Sequence, residues 1–435
     1  MSADLLYSET ERDLAAALSD LLADRAAPAD VIARTERTEA YDLKLWRTVA
    51  AEIGVAGLLI PEALGGAGAS YRELGAAAEQ FGAFAAPIPY LGSAAVATAA
   101  LLSAARAAVA ADDGGAGAMA PDDQGGFGSA SSGPAAAVRA AQLRAAAQAP
   151  AGAGSAARAA VSPAAGLLRR LADGSLTAAL VVTAATRPGA PFPGIARITG
   201  RGDSGPASVK LTGRIPAVID ALTADVLLVP ADGVPSGLYL VEATAPGVHR
   251  TPLVSLDMTR QLCDITLDAA EARQVVVGAA AEAAVSAGLA AGAAILAAEQ
   301  LGLAQRSLDL TIEYVKQRRQ FGRQIGSFQA VKHRLADLWT TITLARAASR
   351  YAVACLAGND PDAPVAVALA KSACCEAAVT AAQECVQLHG GIGFTWEHPA
   401  HLYLKRAKAA SVTFGTPGAH RAALADLVNL PSPDA

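Results

Sequence analysis

The stretch RRQFGRQIGSFQAVKHRLADL, residues 318–338, decides how the rest of the chain is organised. Two arginines, Arg318 and Arg319, end a run of helical periodicity, glycines at 322 and 326 bend the chain, and an amphipathic helix then begins. Such a charged run is either a solvated face or a set of donors placed at a helix end to meet an anion. The sequence on either side has to separate the two.

Apolar positions at helical spacing reach back to residue 276 through AAEQLGLAQRSLDLTIEYVKQR. They continue to about 428 through PVAVALAKSACCEAAVTAAQECVQLHG and HLYLKRAKAA. Residues 276–430 therefore read as a C-terminal four-helix bundle. Over 168–275 the texture has period two, in TAALVVTA, SVKLTGR, ADVLLVPA and SGLYLVEA, punctuated by PG, DG and GVPSG, which predicts a small β domain. Residues 1–104 are helical in pattern (DLAAALSDLLADR, LKLWRTVAAEIG), interrupted by LLIPEALGGAGAS. Between them, 105–163 degenerates into Ala, Gly, Ser and Pro, with too little bulky apolar surface to offset the entropy of ordering. This reads as a flexible low-complexity insertion with room for Ala-rich helices such as AAVRAAQLRAAAQ. The fold class is mainly α with a central small β domain.

With 435 residues the chain is long enough for about three domains. A formal charge of -5 gives no basic field for nucleic acid. Five cysteines, at 263, 355, 374, 375 and 385, lack CxxC spacing and read as buried thiols of a reducing cytoplasm. The close pair His398 and His401 is separated by Pro399 and lacks the helical spacing of a zinc site, so no metal is expected. The acidic start MSADLLYSETERD does not resemble a signal peptide. Residues 283–298, AAVSAGLAAGAAILAA, are short for a spanning segment and read as a tightly packed internal helix, with no membrane span.

Taken together, RRQFGRQIGSFQAVKHRLADL, CVQLHGGIGFTWEHPAHLYLKRAK and the early GLLIPEALGGAG closely resemble the acyl-CoA dehydrogenase family. The resemblance spans everything except the insertion, and it makes the middle domain β-barrel-like. It implies a flavoprotein that removes hydrogen from the α and β carbons of an acyl-CoA thioester. FAD would lie between the β domain and the bundle, with its ADP half reaching a neighbouring subunit in a dimer or tetramer. Arg318 would pair bidentately with the FAD pyrophosphate, Gln320 and Phe321 would pack along the dinucleotide, and Gln329 would be a further polar contact. Gln387 would offer an amide, and Gly390 with Gly391 would let backbone approach the adenosine. The same resemblance implies electron-transfer flavoprotein as the acceptor.

The catalytic positions depart from the family pattern. Aligned on Gly415-Thr416, the usual base position holds Phe414, which accepts no proton. The alternative position on the first bundle helix is Gly292. Glu299 lies seven residues further along the same face, roughly 10 Å away at 1.5 Å per residue, and is a candidate base or a buried polar residue. Glu397 and His398 in TWEHP are further acid-base candidates, but they sit beside the glycines, where structural or cofactor contact is the favoured reading. Where relatives carry T-E-P-x-x-G-S-D, this chain reads TRPGAPF, with Arg187 for the acid and Pro191-Phe192 for Gly-Ser. Where they carry W-I-T-N, it has Ala217, Val218, Ile219 and Asp220.

Positions that would hold the flavin ring and perform chemistry are changed, while Arg318, Gln387 and Gly391 remain. In this the chain is similar to the non-catalytic subunits of actinobacterial heteromeric acyl-CoA dehydrogenases that act on bulky substrates such as steroid side-chain thioesters. Three readings stay open. The chain is a hetero-oligomer subunit paired with a catalytic paralogue, a self-sufficient dehydrogenase with a displaced base, or a structural or acyl-CoA-binding protein.

Overall fold

A computed structural model describes residues 4–37, 39–114, 163–205 and 207–431. The N-terminal helices are α1 Glu9–Arg25, α2 Pro28–Thr35, α3 Leu43–Arg47, α4 Tyr71–Ala83 and α5 Thr98–Gly114. Reciprocal bonds between a serine and the glutamate three residues on start two of them, Ser8 with Glu11 for α1 and Ser70 with Glu73 for α4. Helix α5 runs ten residues past the expected boundary at 104, because its Ala-rich sequence keeps a good helix propensity. The rest of the expected insertion, 115–162 with AAVRAAQLRAAAQ, lies outside the described residues.

Helix α6, Pro163–Ala172, leads into strands β1 Ala178–Leu180, β2 Ala196–Arg201, β3 Ser208–Ile219, β4 Val226–Asp232, β5 Gly237–Glu242, β6 Val248–Pro252 and β7 Leu262–Val277. Neighbours run β4-β2-β3-β7-β5, and β5 pairs back to β4, so five strands close a small barrel. β1 adds in parallel to β4, and β6 adds antiparallel to β7. Closure leaves an apolar interior of Leu211, Ile215, Leu227, Val229, Val241, Ile265 and Leu267.

The C-terminal part holds α7 Ala279–Gln317, α8 Gln329–Ala357, α9 Ala363–His389, α10 Ala400–Ala410 and α11 Pro417–Leu427, with the short strands β8 Arg319–Gln320 and β9 Arg323–Gln324 between α7 and α8. Three long and two short helices thus replace the four long ones expected. Gly390, at φ 62°, ends α9, while Pro399 and Pro417 each stand at the start of a new helix. All five cysteines are buried and free.

Helix α7 is 39 residues long, so 283–298 is part of a much longer element than its own length indicates. By length and composition alone Leu91–Ala108, Ala279–Gln317 and Ala363–Phe394 would suffice to cross a membrane; here most of each apolar window is buried within the fold. Two glycines set how closely α7 meets α4. A Cβ on Gly82 would fall 1.9 Å from the Glu299 carbonyl oxygen, and one on Gly302 would fall 1.8 Å from that of Glu79. Only glycine permits this crossing, which fixes the position of Glu299 in the core.

Candidate functional site

The residues singled out in the sequence gather in two places. At one end of the bundle the chain leaves α7 at Arg318 and forms a tight hairpin, Arg319 opposite Gln324 and Gln320 opposite Arg323. Its turn is Phe321-Gly322, at φ 53° and 79°. Positive φ at both central residues is the geometry that matches hairpin twist, but a phenylalanine is a costly occupant of the first position. Phe321 is 91% exposed, and its ring meets that of Phe328 edge-on, with centres 6.3 Å apart. The guanidinium of Arg323 lies 3.9 Å from the centre of the Phe328 ring, which bounds the hairpin on the α8 side, and Gln329 opens α8 exposed to solvent.

The second motif reaches the same end. Tyr314, one turn before Arg318, packs on His389, with ring centres 4.4 Å apart, and His389 directly precedes Gly390. The His398 ring packs on the other side of His389 at 4.3 Å. Burial holds both imidazoles below their ordinary pKa and therefore neutral near pH 7; for His398 the neighbouring histidines act in the same direction. Arg318, Gln320, Phe321, Gln387, Gly390, Gly391 and Glu397 are all exposed. Phe394 and Trp396 are exposed as well, with Lys405 Nζ 3.8 Å over the Trp396 ring.

Phe414 and Gly292, the two positions expected from the family resemblance to hold a base, lie deep inside and pack against one another. Phe414 is 2% exposed and sits at φ 55°. A Cβ added to Gly292 would come 2.8 Å from two carbons of the Phe414 ring and 2.8 Å from Val96 Cγ2. Backbone bonds tie the surrounding loops together: the Phe414 N–H donates to the Ala184 carbonyl at 2.7 Å, and the Ala184 N–H donates to that of Ala217 at 2.9 Å. Arg187 packs on Gly415, where an added Cβ would meet the Arg187 Cβ at 2.9 Å. His420 Nε2 lies 2.8 Å from the Phe414 carbonyl, a geometry in which the ring donates. Burial lowers the His420 pKa and keeps the ring neutral.

Glu299 is placed elsewhere, in a sealed ion cluster. Its carboxylate accepts from Arg260 Nη2 at 2.5 Å, from Arg406 Nε at 2.9 Å and from the Tyr90 hydroxyl. Arg406 also donates to Thr259 Oγ1 at 2.8 Å and lies 3.8 Å from Asp257. Burial pushes the Glu299 pKa up, but the charges of Arg260 and Arg406 outweigh it and bring the group to about 2. Asp220, aligned with the family's asparagine, accepts from the Tyr41 hydroxyl and from the Gly92 N–H at 2.8 Å. Burial raises its pKa.

Sequence reading missed Arg260, Arg406, Tyr90 and Tyr41. Their partners lie 39 to 209 residues away in the chain, a separation that no periodicity or local motif reports.

The chain matches the model of the acyl-CoA dehydrogenase N-terminal domain over residues 8–110 and that of the C-terminal domain over residues 259–428. Among curated proteins it is 31% identical to acyl-CoA dehydrogenase IpdE2 of Mycobacterium tuberculosis, over 94% of each chain. Among solved structures it resembles the ChsE4-ChsE5 complex of M. tuberculosis, at 26% identity and TM-score 0.73, over 99% of this chain and 100% of that one. It also resembles the Tcur3481-Tcur3483 steroid ACAD, at 27% identity and TM-score 0.71, over 97% and 98%. Matched at both ends and along almost its full length, the chain belongs to the acyl-CoA dehydrogenase family.

Proposed function

We propose that this chain is a non-catalytic subunit of a heteromeric acyl-CoA dehydrogenase, completing the FAD site of a catalytic paralogue. The observation that carries the reading is the packing of Phe414 on Gly292. At both positions where relatives keep the base this chain presents carbon or hydrogen, and the two fill one another's space. Glu299 is an unsuitable substitute, because a carboxylate with a pKa near 2, paired to two arginines and closed to solvent, is too weak and too enclosed to take a proton from substrate.

The exposed end fits the diphosphate and adenosine of such a cofactor. Among the described residues Arg318 forms no ion pair, and its planar fork suits a diphosphate better than a lysine would. A Cβ on Gly391 would meet nothing within 4 Å, so packing within the chain does not require glycine there. An open glycine backbone and an unpaired guanidinium, on segments joined by the packing of Tyr314 on His389, are suited to a ligand from outside the chain.

FAD, when bound in the partner's site, supplies the hydride acceptor for αβ-dehydrogenation of an acyl-CoA thioester. This chain's part is to hold the far end of that cofactor through Arg318, Gln387 and the Gly390-Gly391 backbone, with Gln320, Phe321 and Gln329 alongside. Two structural relatives are themselves named as pairs of chains, which supports a heteromer. Re-oxidation by electron-transfer flavoprotein and a cytoplasmic location, in keeping with free buried thiols, complete the proposal.

The test is to purify the chain alone and co-expressed with a dehydrogenase paralogue from its own genome, then measure flavin per chain and flavin reduction by acyl-CoA. The expected result is a colourless, inactive single chain and a yellow, active complex with flavin matching the paralogue's content. A yellow homo-oligomer that acyl-CoA bleaches would overturn the reading.

A further inference from the structure

Lys371 and Cys375 stand one turn apart on α9, and both are fully buried. The Lys371 Nζ lies 2.8 Å from the Cys375 Sγ and 3.0 Å from the Ala410 carbonyl. Gln300 flanks the sulfur from α7, with its Nε2 at 3.2 Å. Among the described residues no carboxylate reaches ion-pair distance of Lys371, so a buried amine has a sulfur and a carbonyl as its polar partners. A buried ammonium ordinarily has an anionic partner, and this pair carries no role in the function proposed above.

We propose that Lys371 and Cys375 are a modification site at which hydrogen peroxide joins Nζ to Sγ through one bridging oxygen. The separation is one that a single oxygen between nitrogen and sulfur would span, whereas a direct S–N bond would require much closer approach. In the first step one peroxide oxidises the thiol to sulfenic acid and leaves one water. In the second, the amine nitrogen bonds to that sulfenic oxygen while a second peroxide takes the two electrons and the two protons released, leaving two waters. Overall, one thiol, one amine and two peroxides give the N–O–S bridge and three waters, with sulfur and nitrogen each oxidised by two electrons.

The adjacent Cys374 does not compete in this geometry. Its Sγ turns to α8 and lies 3.4 Å from the Ala345 carbonyl, while that of Cys375 faces α7. Bridging also has a structural readout. Ala410 closes α10, and the next residues lead directly to Phe414. The Lys371 nitrogen donates to that terminal carbonyl, and bridging leaves it a single hydrogen with which to do so. The inference does not depend on the flavin reading.

The experiment treats the full-length protein with hydrogen peroxide under native conditions, blocks remaining thiols, and measures intact and tryptic-peptide masses with and without dithiothreitol. The expected product gains one oxygen and loses two hydrogens, resists trypsin after Lys371, and reverts with dithiothreitol. Lys371→Arg and Cys375→Ser should each abolish it, and Cys374→Ala should leave it intact. The proposal is overturned if trypsin still cuts fully after Lys371, if Cys375 goes only to sulfinic or sulfonic acid, or if a Cys374-Cys375 disulfide forms instead. An unchanged mass overturns it as well. Should the substitutions unfold the chain, the wild-type mass and its reversal decide alone.

Discussion

Phe414 and Gly292 are in direct contact across two elements that are more than a hundred residues apart in sequence, and each is shaped to the other. The ring occupies the volume that any side chain on residue 292 would need. Gly292→Ala should therefore overpack the core. A loss of about 1–3 kcal/mol is expected, against at most about 1 kcal/mol gained in helix propensity. Combining it with Phe414→Leu should recover part of that loss, and a double-mutant cycle by urea unfolding would read the coupling. Strict additivity would mean that the two residues do not share the space described.

Glu299→Gln should destabilise the chain strongly, by about 3–5 kcal/mol, because buried Arg260 would lose its ion-pair partner and Arg406 would keep only the more distant Asp257. The pH dependence has a definite sign. Folding lowers the Glu299 pKa from 4.5 to about 2, so the stabilisation is fully present above the unfolded value and is lost as pH falls towards 2. The difference in urea midpoint between wild type and variant should be constant from neutral pH to about 5 and narrow below 4. A gap that widened on acidification would contradict this ion cluster.

Arg318→Lys should leave the stability of the isolated chain within about 0.5 kcal/mol, since the side chain is exposed. In the co-purified heteromer it should lower flavin retention, because a lysine replaces a bidentate fork by a point charge. Absorbance per complex after dilution and filtration reads one effect, and thermal unfolding of the single chain reads the other. Equal flavin retention in both complexes would remove Arg318 from the cofactor.

Phe321→Asn should raise the stability of the isolated chain, by up to about 1 kcal/mol, because asparagine tolerates the left-handed backbone that phenylalanine occupies at a cost. The same change should weaken the heteromer, since it removes an exposed ring. Unfolding of the single chain and the dissociation constant of the complex should move in opposite directions. Parallel movement would mean that the turn serves this chain's own fold.

Helical and β-rich periods marked out the layered order correctly, although β4 and β5 are buried on both faces, between the barrel interior and the helices, and so do not alternate. The two glycine-containing motifs were read as contacts to one dinucleotide, and Tyr314 and His389 bring the segments that carry them together. Length was read less well: Gly390 and the prolines at 399 and 417 divide the C-terminal half more finely than hydrophobic spacing shows. Glu299 could be recognised as an acid on an apolar face, but its pairing with Arg260 and Arg406 depends on the barrel and the last helices converging on α7. Phe414 and Gly292 could each be singled out in the sequence only by the family resemblance. That one fills the space beside the other follows only from the packed structure.

The length of α7 separates these two regions physically. From Gly292 to Arg318 there are 26 residues, or about 40 Å at 1.5 Å per residue, along one continuous helix. The proposed cofactor-holding end and the packed interior at residue 292 are therefore far enough apart to be varied one at a time.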